Sequence, residues 1–371
     1  MRTTFAMARV MPLRRRVVFG TSAAADLTNN LAFIRAELDR RGIPYSVVAR
    51  LPAITWGTWF GSFLANIRAA FHLATARLFI VDDYYFPVYV IEPRKGTTIV
   101  QTWHASGAFK KIGYSVLDKT FGADEGLIAK VDIHSNYDIC LMASKTAAVH
   151  YAEAFRTPLE RFETDVGMPR TDVLFGDAVP GIKASIREHY HLPEGKRVIL
   201  YAPTFRGATT RKATSPTDLD FAELHRVLGE DHIVLLRLHP FVRQAHPIPA
   251  ELASFAIDVS DHPDIHELML VSDVLVTDYS SAIFEFSLLT RPMAFFAPDH
   301  DDYMDERGFY FDYRTGVPGP VFETTADLAA WLRAGAFDLD RIARFRDESF
   351  EVADGHATER FVDRIVVPAL A

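Results

Sequence analysis

The sequence predicts an α/β protein built from two doubly wound, Rossmann-type domains that face each other across a cleft. Short apolar, β-rich runs alternate with segments of helical periodicity, which is typical of a parallel sheet with helices on both faces. The alternation starts again near residue 176, and polar clusters follow strands in both halves. Ligands of such sheets bind beyond the carboxyl ends of the strands, so we expect the functional site in the cleft between the halves.

The composition describes a globular protein without internal disulfides. The chain has 371 residues and a mass of 41.7 kDa, which suits two domains of ordinary size. Its formal net charge of −8 argues against a general nucleic-acid binder, which is normally basic. Cys140 is the only cysteine, so no disulfide can form within the chain and a reducing cytoplasm is expected. No apolar run approaches the roughly 20 residues that a membrane span requires.

The first predicted domain covers residues 1–175. Its predicted strands are Arg16–Thr21, Tyr45–Ala49, Leu78–Asp82, Thr97–Thr102 and Ile139–Ala143. Its predicted helices are Asn30–Arg41, Phe60–Ala76 and Thr146–Ala154. Gly42 is the expected end of the first helix, because glycine tolerates the left-handed conformation that often follows a helix.

The second predicted domain covers residues 176–371. Its predicted strands are Arg197–Ala202, His232–Leu238, Val274–Thr277 and Met293–Ala297. Predicted helices cover Ile182–His189, Asp218–Leu228, Ile265–Leu270, the run from Ser280 to Leu289, Ala326–Arg333, Leu339–Ser349 and Ala357–Val367. The last helices are expected to pack back on the N-terminal domain. The polar stretch Gly207–Thr217 predicts a mobile loop over the cleft.

Two features of the N-terminal region allow more than one interpretation. Met1–Arg16 carries five arginines and no acidic residue, which fits either a disordered start or a basic contact with an anionic membrane surface. The aromatic residues Trp56, Trp59 and Phe60 could pack in the core, form a dimer contact or lie at a lipid interface.

The strand end at Asp278-Tyr279-Ser280-Ser281 is the strongest candidate for an anion site. Backbone N–H groups at the start of a helix favour an anion, and hydroxyl groups add further donors. The alternative is that Ser280 or Ser281 is only a helix cap. Arg206 follows another strand, where its guanidinium could bind a phosphate or remain a solvated loop residue.

Two histidines at strand ends are candidates for chemistry. His104 is the best general base, since its ordinary pKa suits proton transfer near neutrality and Lys110 and Lys111 attract anions; a local structural role is the alternative. His239, between Arg237 and Pro240, could donate to a phosphate oxygen or be structural.

No metal site is predicted, because the sequence lacks HExxH, CxxC and EF-hand patterns and the acids of 299–305 suggest a solvated face. The sequence also lacks the GxGxxG, GxxxxGK[ST] and GxSxG motifs.

The motifs together resemble one known family. QTWHASGAFKKIG resembles the QTWHGTPLKKxG signature of the CDP-glycerol glycerophosphotransferases, which make wall teichoic acid and related capsule polymers. GMPRTDVL resembles the family's GxPRxD element and YAPTFR its YAPTWR, while RLHP, SDVLVTDYSS and RGFYFDY match in the same order. The resemblance runs from about Asp82 to Phe322. It implies a GT-B fold with the nucleotide in the C-terminal half, and transfer of an alditol phosphate to an acceptor hydroxyl with release of CMP.

The resemblance also suggests roles for individual residues. It implies that His104 is the base and that His239, with Ser280 and Ser281, holds the donor diphosphate. We therefore assign residues 1–175 to the acceptor side and residues 176–371 to the donor side. The catalytic candidates are His104 and His239; the donor-binding candidates are Arg206, Arg237, Asp278, Ser280, Ser281 and Arg307; the acceptor-side candidates are Lys110, Lys111 and Arg170. The chain departs from the signature after His104, where Ala105-Ser106-Gly107-Ala108-Phe109 replaces the shorter Gly-Thr-Pro-Leu.

The expected partners follow from the same resemblance. They are CDP-glycerol or another CDP-alditol as donor, and a polyol-phosphate or lipid-linked glycan as acceptor; no cofactor and no nucleic acid is expected. The expected location is the cytoplasm, with peripheral contact at the inner face of the membrane as an open alternative. A glycosyltransferase that uses a sugar nucleotide and a nucleotide-binding component without turnover are the competing functions. Primase or polymerase, glycerol or ribitol, and any metal requirement stay open.

Overall fold

The protein consists of two six-stranded parallel sheets that carry helices on their faces, which confirms the predicted fold class. The computed structural model describes residues 1–22, 26–49, 56–116, 131–207, 214, 216, 219–240, 242, 248–301, 303 and 308–371. The predicted loop Gly207–Thr217 lies mostly outside these residues, as do the side chains of Trp56 and Trp59.

The first sheet has the order β2-β1-β3-β4-β5-β6, with all neighbours parallel. Its strands are β1 (Arg14–Thr21), β2 (Tyr45–Ala49), β3 (Ala76–Val81), β4 (Thr98–Gln101), β5 (Ile139–Leu141) and β6 (Phe162–Glu163). The helices of this half are α1 (Arg2–Ala8), α2 (Asn29–Arg40), α3 (Trp56–Thr75), α4 (Phe86–Tyr89) and α5 (Lys145–Phe155). The carboxyl ends of β1, β3 and β4 therefore lie side by side at one edge.

The second sheet has the order β12-β11-β10-β7-β8-β9, again parallel throughout. Its strands are β7 (Arg197–Tyr201), β8 (His232–Leu236), β9 (Ala256–Asp258), β10 (Val274–Thr277), β11 (Met293–Phe296) and β12 (Val321–Phe322). Every residue of β8, β10 and β11 is buried, as their continuous apolar runs predict. The sequence pattern does not reveal β9 and β12, because edge strands of three and two residues carry too little periodicity.

The helices of the second half are α6 (Val179–His189), α7 (Phe221–Leu228), α8 (Ile265–Val271), α9 (Ala282–Ser287), α10 (Tyr313–Gly316), α11 (Thr325–Ala334), α12 (Leu339–Ser349), α13 (Ala357–Phe361) and α14 (Val367–Leu370). Helix α7 begins at Phe221, later than predicted, because the Asp220 carboxylate accepts hydrogen bonds from the amides of Ala222 and Glu223 and caps the helix. Helix α9 is shorter at both ends than the predicted run from Ser280 to Leu289.

The last helices contact the first half of the chain. Helix α13 packs against α2, and α14 packs against β1 and β3. The Asp172 carboxylate accepts hydrogen bonds from the amides of Ala357 (3.0 Å) and Thr358 (2.8 Å), and from the Thr358 hydroxyl (2.6 Å). One cluster of buried apolar side chains accordingly runs from the first sheet into the second. The division near residue 175 stays a prediction, since these contacts tie the two halves closely together.

The N-terminal segment begins with an ordered helix, so a disordered start is wrong. Phe5 and Ala8 of α1 are buried, and α1 packs against α3. Phe60, at the exposed end of α3, is 56% exposed and does not pack in the core. Among the described residues, no helix combines the length and the apolar character that a membrane crossing demands.

Candidate functional site

A cleft with a volume of about 460 Å³ lies between the carboxyl ends of the two sheets. The first half contributes Thr28, Asn29 and Arg170 to its lining. The polar lining of the second half consists of Thr204, Arg237, His239, Asp264, Ser280, Ser281 and Glu285. The structure thus brings five of the predicted site residues together at one cavity: Arg170, Arg237, His239, Ser280 and Ser281.

Arg237 presents a buried positive charge at the cleft. Its Nη1 donates hydrogen bonds to the backbone oxygens of Leu238 (3.0 Å) and Ser260 (2.6 Å), while its Nε has no partner. Among the described residues, no carboxylate forms an ion pair with it, and burial lowers its pKa. A buried cation that is bonded only to carbonyl groups favours an anionic ligand.

The two serines lie across β7 from Arg237, because β7 separates β8 from β10 in the sheet. The Ser280 hydroxyl oxygen accepts a hydrogen bond from the Ala282 amide (3.2 Å), so Ser280 has a capping role. Ser281 is the N-cap residue of α9 but makes no capping hydrogen bond. Since α9 has only six residues, its dipole is small and the side chains must supply most of the anion binding.

His239 is half-buried and lies three residues after the end of β8, at the start of the connection to β9. Its ring packs against Phe205, with ring centroids 4.9 Å apart. Phe205 belongs to the loop after β7, so the ring contact fixes His239 relative to the neighbouring strand end. This arrangement keeps the imidazole at the cleft beside Arg237.

Arg206 and Asp278 form an ion pair outside the cleft lining. Arg206 donates to Asp278 Oδ2 from Nη1 (2.8 Å), and to Asp299 from Nε (2.5 Å) and Nη2 (3.1 Å). Burial lowers the pKa of Arg206, but the charges of Asp278 and Asp299 outweigh burial and the net shift is upward. The guanidinium is therefore occupied by carboxylates, which favours a structural role for Arg206.

Asp278 joins two strand ends rather than pointing into the cavity. Its Oδ1 accepts hydrogen bonds from the Thr204 amide (2.8 Å), the Thr204 hydroxyl (2.9 Å) and the Tyr279 amide (2.6 Å).

Asp299, expected on a solvated face, instead accepts from Arg206 and from the Tyr279 hydroxyl (2.9 Å). Of the same acidic run, residues 302 and 304–305 lie outside the described part, and so does Arg307.

His104 is exposed beside the cleft, and an unusual backbone conformation presents it there. Trp103 has a positive φ of 52°, which is rare for a bulky residue. Hydrogen bonds hold Trp103 in place: its amide donates to Gln101 Oε1 (2.9 Å), its indole donates to the Tyr151 hydroxyl (3.0 Å) and its carbonyl accepts from Asn30 (3.0 Å). Surrounding contacts thus stabilise the strained residue that precedes His104.

The tautomer of His104 follows from its partner. Nδ1 lies 3.2 Å from the backbone oxygen of Asp82. A carbonyl oxygen can only accept, so Nδ1 carries the hydrogen and Nε2 of the neutral ring has the free lone pair. His104 therefore presents Nε2 as a proton acceptor.

Arg170 connects the two halves at the edge of the cleft. It lies in the short 3₁₀ helix Pro169–Leu174, and its Nη1 donates to the backbone oxygen of His104. Its Nη2 lies 3.3 Å from His266 Nε2, and Nδ1 of that histidine lies 2.7 Å from Asp264. The Arg170 side chain thus runs from the His104 segment to helix α8.

Lys110 and Lys111 do not line the cleft. The backbone of Lys110 pairs with that of Phe309 in an isolated antiparallel β-bridge, and the Lys110 Nζ donates to the Tyr303 hydroxyl at 3.2 Å. The Lys111 amide donates to the Gly308 oxygen at 3.2 Å. Both lysines therefore lie where the segment after His104 contacts the second half. Among the described residues, no group of three or more His, Cys, Asp or Glu side chains is placed to hold a metal ion.

Two site residues were missed by sequence reasoning. Asn30 is completely buried and binds the backbones of both Trp103 and Arg170. Glu285 is 2% exposed, lines the cleft and contacts Ser106 and Arg170. A carboxylate between Phe284 and Phe286 on an apolar helix is a signal that could have identified Glu285, since an acid is rarely buried there without a function.

The fold and this cleft define a two-domain α/β protein of the GT-B class. Comparison with known families identifies the family to which the chain belongs. The chain belongs to the family described as CDP-Glycerol:Poly(glycerophosphate) glycerophosphotransferase, whose profile matches residues 4–367. The resemblance carried by the motifs is thereby confirmed.

Two characterised relatives and one solved structure place the chain within this family. It is 37% identical to the teichoic acid poly(ribitol-phosphate) polymerase of Bacillus spizizenii over 97% of this chain and 58% of that polymerase. It is 40% identical to the teichoic acid ribitol-phosphate primase of the same organism, over 80% of this chain and 76% of the primase. The wall teichoic acid polymerase TagF has the same fold, with a TM-score of 0.77, 24% identity, and coverage of 100% of this chain and 93% of that chain.

Proposed function

We propose that the protein transfers an alditol phosphate from a CDP-activated alditol to an acceptor hydroxyl, in the synthesis of a teichoic-acid-like or capsule polymer. One observation carries the proposal: the unpaired cation Arg237 shares a cleft with His239, Ser280 and Ser281, beside a histidine that presents a free Nε2. Family membership supports the same reaction. Residues 176–371 would bind the donor, and residues 1–175 would bind the acceptor.

The donor diphosphate would bind at the strand ends of the second sheet. Arg237 forms no ion pair with a described carboxylate, and a guanidinium matches two phosphate oxygens at once. Ser281 adds a hydroxyl that is not used for capping. His239 adds a ring N–H donor beside both. Arg206 and Asp278 would support this site indirectly, by joining the strand ends that carry it.

The transfer itself would need one base and one stabilised leaving group. The acceptor oxygen forms a bond to the phosphorus that carries the alditol, and the bond between that phosphorus and the CMP oxygen breaks. The acceptor proton passes to His104 Nε2. The charge that develops on the departing phosphate is stabilised by Arg237 and by the donors of His239 and Ser281.

A donor comparison tests the proposal. The protein is incubated with CDP-ribitol, CDP-glycerol and a UDP-sugar, each with a polyol-phosphate acceptor, and CMP and UDP are measured. We expect CMP from a CDP-alditol, with CDP-ribitol as the first candidate because both relatives named above are ribitol-phosphate enzymes. UDP release alone would support a glycosyltransferase instead, and no release from any donor would support a binding component without turnover.

We further propose that α1 and the exposed end of α3 contact an anionic membrane surface. Five large apolar side chains are exposed there: Met7, Val10, Phe60, Phe63 and Leu64. Three arginines near these helices are exposed: Arg9 follows α1, Arg14 begins β1 and Arg68 lies on α3. Neither Met1–Arg16 nor Trp56–Arg77 contains an acidic residue. Exposed apolar residues among arginines are typical of an interfacial surface.

Vesicle sedimentation tests the membrane contact. Phe63→Ser and Leu64→Ser together should reduce binding to phosphatidylglycerol vesicles, and added salt should weaken binding of the unchanged protein. Val149→Ser and Leu159→Ser, at two other exposed apolar positions, form the matched control. Equal binding by both double variants would refute a contact at α3.

A further inference from the structure

The segment that follows His104 packs against the opposite half of the protein. Ser106 is completely buried, and its hydroxyl donates to Glu285 Oε1 at 2.8 Å. A Cβ atom on Gly107 would lie 2.2 Å from the Phe284 ring, so only glycine fits there. Phe109 packs among aromatic rings of the second half, with its centroid 4.9 Å from that of Phe309. The segment 105–111 is therefore held by the half that carries the proposed donor site.

Glu285 interacts with this segment directly through Ser106 and indirectly through Arg170. It contacts Ser106 directly, and its Oε1 lies 3.8 Å from Arg170 Nε. Arg170 in turn donates to the backbone oxygen of His104. Glu285 belongs to α9, which begins immediately after Ser281. The short helix α9 therefore links the turn at Ser281 to Ser106, which follows His104, and to Arg170, which binds the His104 backbone oxygen.

Stability alone does not account for a carboxylate at this position. Glu285 is 2% exposed, and a charge that deep loses its hydration. The separation of 3.8 Å from Arg170 Nε is too long for a hydrogen bond, and that Nε has no other partner. A buried ion pair that is replaced as a whole by apolar side chains of similar volume often loses no stability. The contacts of Glu285 point instead to a role in placing the His104 segment.

We propose that Glu285 is a positioning residue that holds the His104 segment in register with the donor-binding turn at Ser280 and Ser281. The expected effect of Glu285 on turnover rests on the proposed function. Its expected effect on the position of residues 105–111 does not. The segment is one residue longer than the corresponding Gly-Thr-Pro-Leu of the family signature. His104 would then face the donor phosphorus only while α9 holds Ser106 and Arg170.

Hydrogen exchange and kinetics together test the proposal. The variants are Glu285→Ala, Glu285→Gln and Ser106→Ala; Glu285→Gln keeps the acceptor for Ser106 if the alanine variant folds poorly. Ser287→Ala is the matched control, because Ser287 is buried on the same helix but donates only within it, to the Phe284 oxygen at 2.6 Å. We expect at least tenfold faster amide exchange in residues 105–111 of Glu285→Ala and Ser106→Ala, and unchanged exchange there in Ser287→Ala.

The kinetic readout separates positioning from donor binding. The single-turnover rate with a CDP-alditol should fall at least tenfold in Glu285→Ala and in Ser106→Ala. In Ser106→Ala, whose site does not line the cleft, the Kd for that donor should change less than twofold. Glu285→Gln should recover part of the rate. Unchanged exchange in residues 105–111 would overturn the proposal, as would faster exchange with an unchanged single-turnover rate. If the unchanged protein releases no CMP, the proposed function fails, and the exchange result alone decides whether Glu285 holds the segment.

Discussion

The backbone amide of Arg170 donates a hydrogen bond to the side-chain oxygen of Asn30 at 3.0 Å, although 140 residues separate the two. The amide group of the same side chain donates to the backbone oxygens of Thr102 (3.1 Å) and Trp103 (3.0 Å). One buried side chain therefore holds both backbone segments that shape the site around His104.

We expect Asn30→Ala to destabilise the protein by about 2–4 kcal/mol, because two carbonyl groups and one amide would lose their buried partner. Urea unfolding measures the loss. Asn30→Asp keeps the acceptor but turns a carboxylate oxygen toward the two carbonyl oxygens in a buried site, so at neutral pH it should destabilise the protein at least as much as the alanine variant. A loss below about 0.5 kcal/mol for Asn30→Ala would show that water replaces the side chain.

His104→Ala should abolish transfer and leave donor binding nearly unchanged, because the side chain acts on the acceptor proton. A general base contributes about 10²–10⁴-fold to the rate. Steady-state CMP release gives the rate, and calorimetry with a CDP-alditol gives the affinity. A variant that retains more than about a tenth of the original kcat would refute the role of base.

Arg237 and Arg206 should respond to substitution in opposite ways. Arg237→Ala removes an unpaired cation from the cleft and should weaken CDP-alditol binding by about 10- to 100-fold with a smaller effect on stability. Arg206→Ala leaves the carboxylates of Asp278 and Asp299 without a partner and should cost about 3–5 kcal/mol of stability. Calorimetry and urea unfolding on both variants distinguish these outcomes. The reverse pattern would place the phosphate at Arg206.

Ser281 and His239 should act on the same ligand. Removing one donor to a charged group costs about 1.5–3 kcal/mol, and losses at a shared ligand do not simply add. We therefore expect His239→Ala and Ser281→Ala each to weaken donor binding or slow turnover, with a coupling energy above about 0.5 kcal/mol in the double variant. Independent losses, or no loss in either single variant, would place the diphosphate elsewhere.

Asp82 makes the stability of the protein depend on pH. Burial, and after it the charge of Asp83, raises the pKa of the Asp82 carboxyl to about 7, while its own amide and the Thr21 hydroxyl only partly oppose this. Because the folded state holds this proton more tightly than the unfolded chain, the contribution of Asp82 to stability falls as pH rises from about 4 to about 7.

Asp82→Asn removes this dependence. The variant should be more stable than the unchanged protein at pH 8, by about 1–4 kcal/mol, and the difference should disappear near pH 4. Urea unfolding at several pH values measures it. Equal stability of the two proteins at pH 8 would mean that the carboxyl ionises without penalty in the fold.

The sequence predicts the strands of the two sheets better than the contacts of the site. Val274–Thr277 and Tyr45–Ala49 are observed as predicted, since buried runs with clear ends are a local property. Arg206 shows the limit. An arginine at a strand end can bind a ligand or a carboxylate, and its partner Asp299 lies 93 residues further along the chain.

Asn30 and Glu285 were missed for a related reason. Asn30 is an ordinary residue for the start of a helix, and only the fold shows that Arg170 and Trp103 lie against it. The Ser106 contact with Glu285 joins residues that are 179 positions apart in the chain. Such pairs depend on how the halves dock, and that docking leaves no periodic signal.

The return of the last helices to the first sheet has a consequence for the order of folding. Helix α14 contacts β1 and β3, and Arg15 donates to the backbone oxygen of Ala371 at 2.7 Å. During synthesis, β1 and β3 leave the ribosome hundreds of residues before the helices that pack against the first half. Apolar surface of the first half therefore remains exposed until the last helices are synthesised. Such delayed long-range contacts slow folding and favour aggregation. A nascent chain stopped before Ala357 should accordingly depend on chaperones that bind exposed apolar segments.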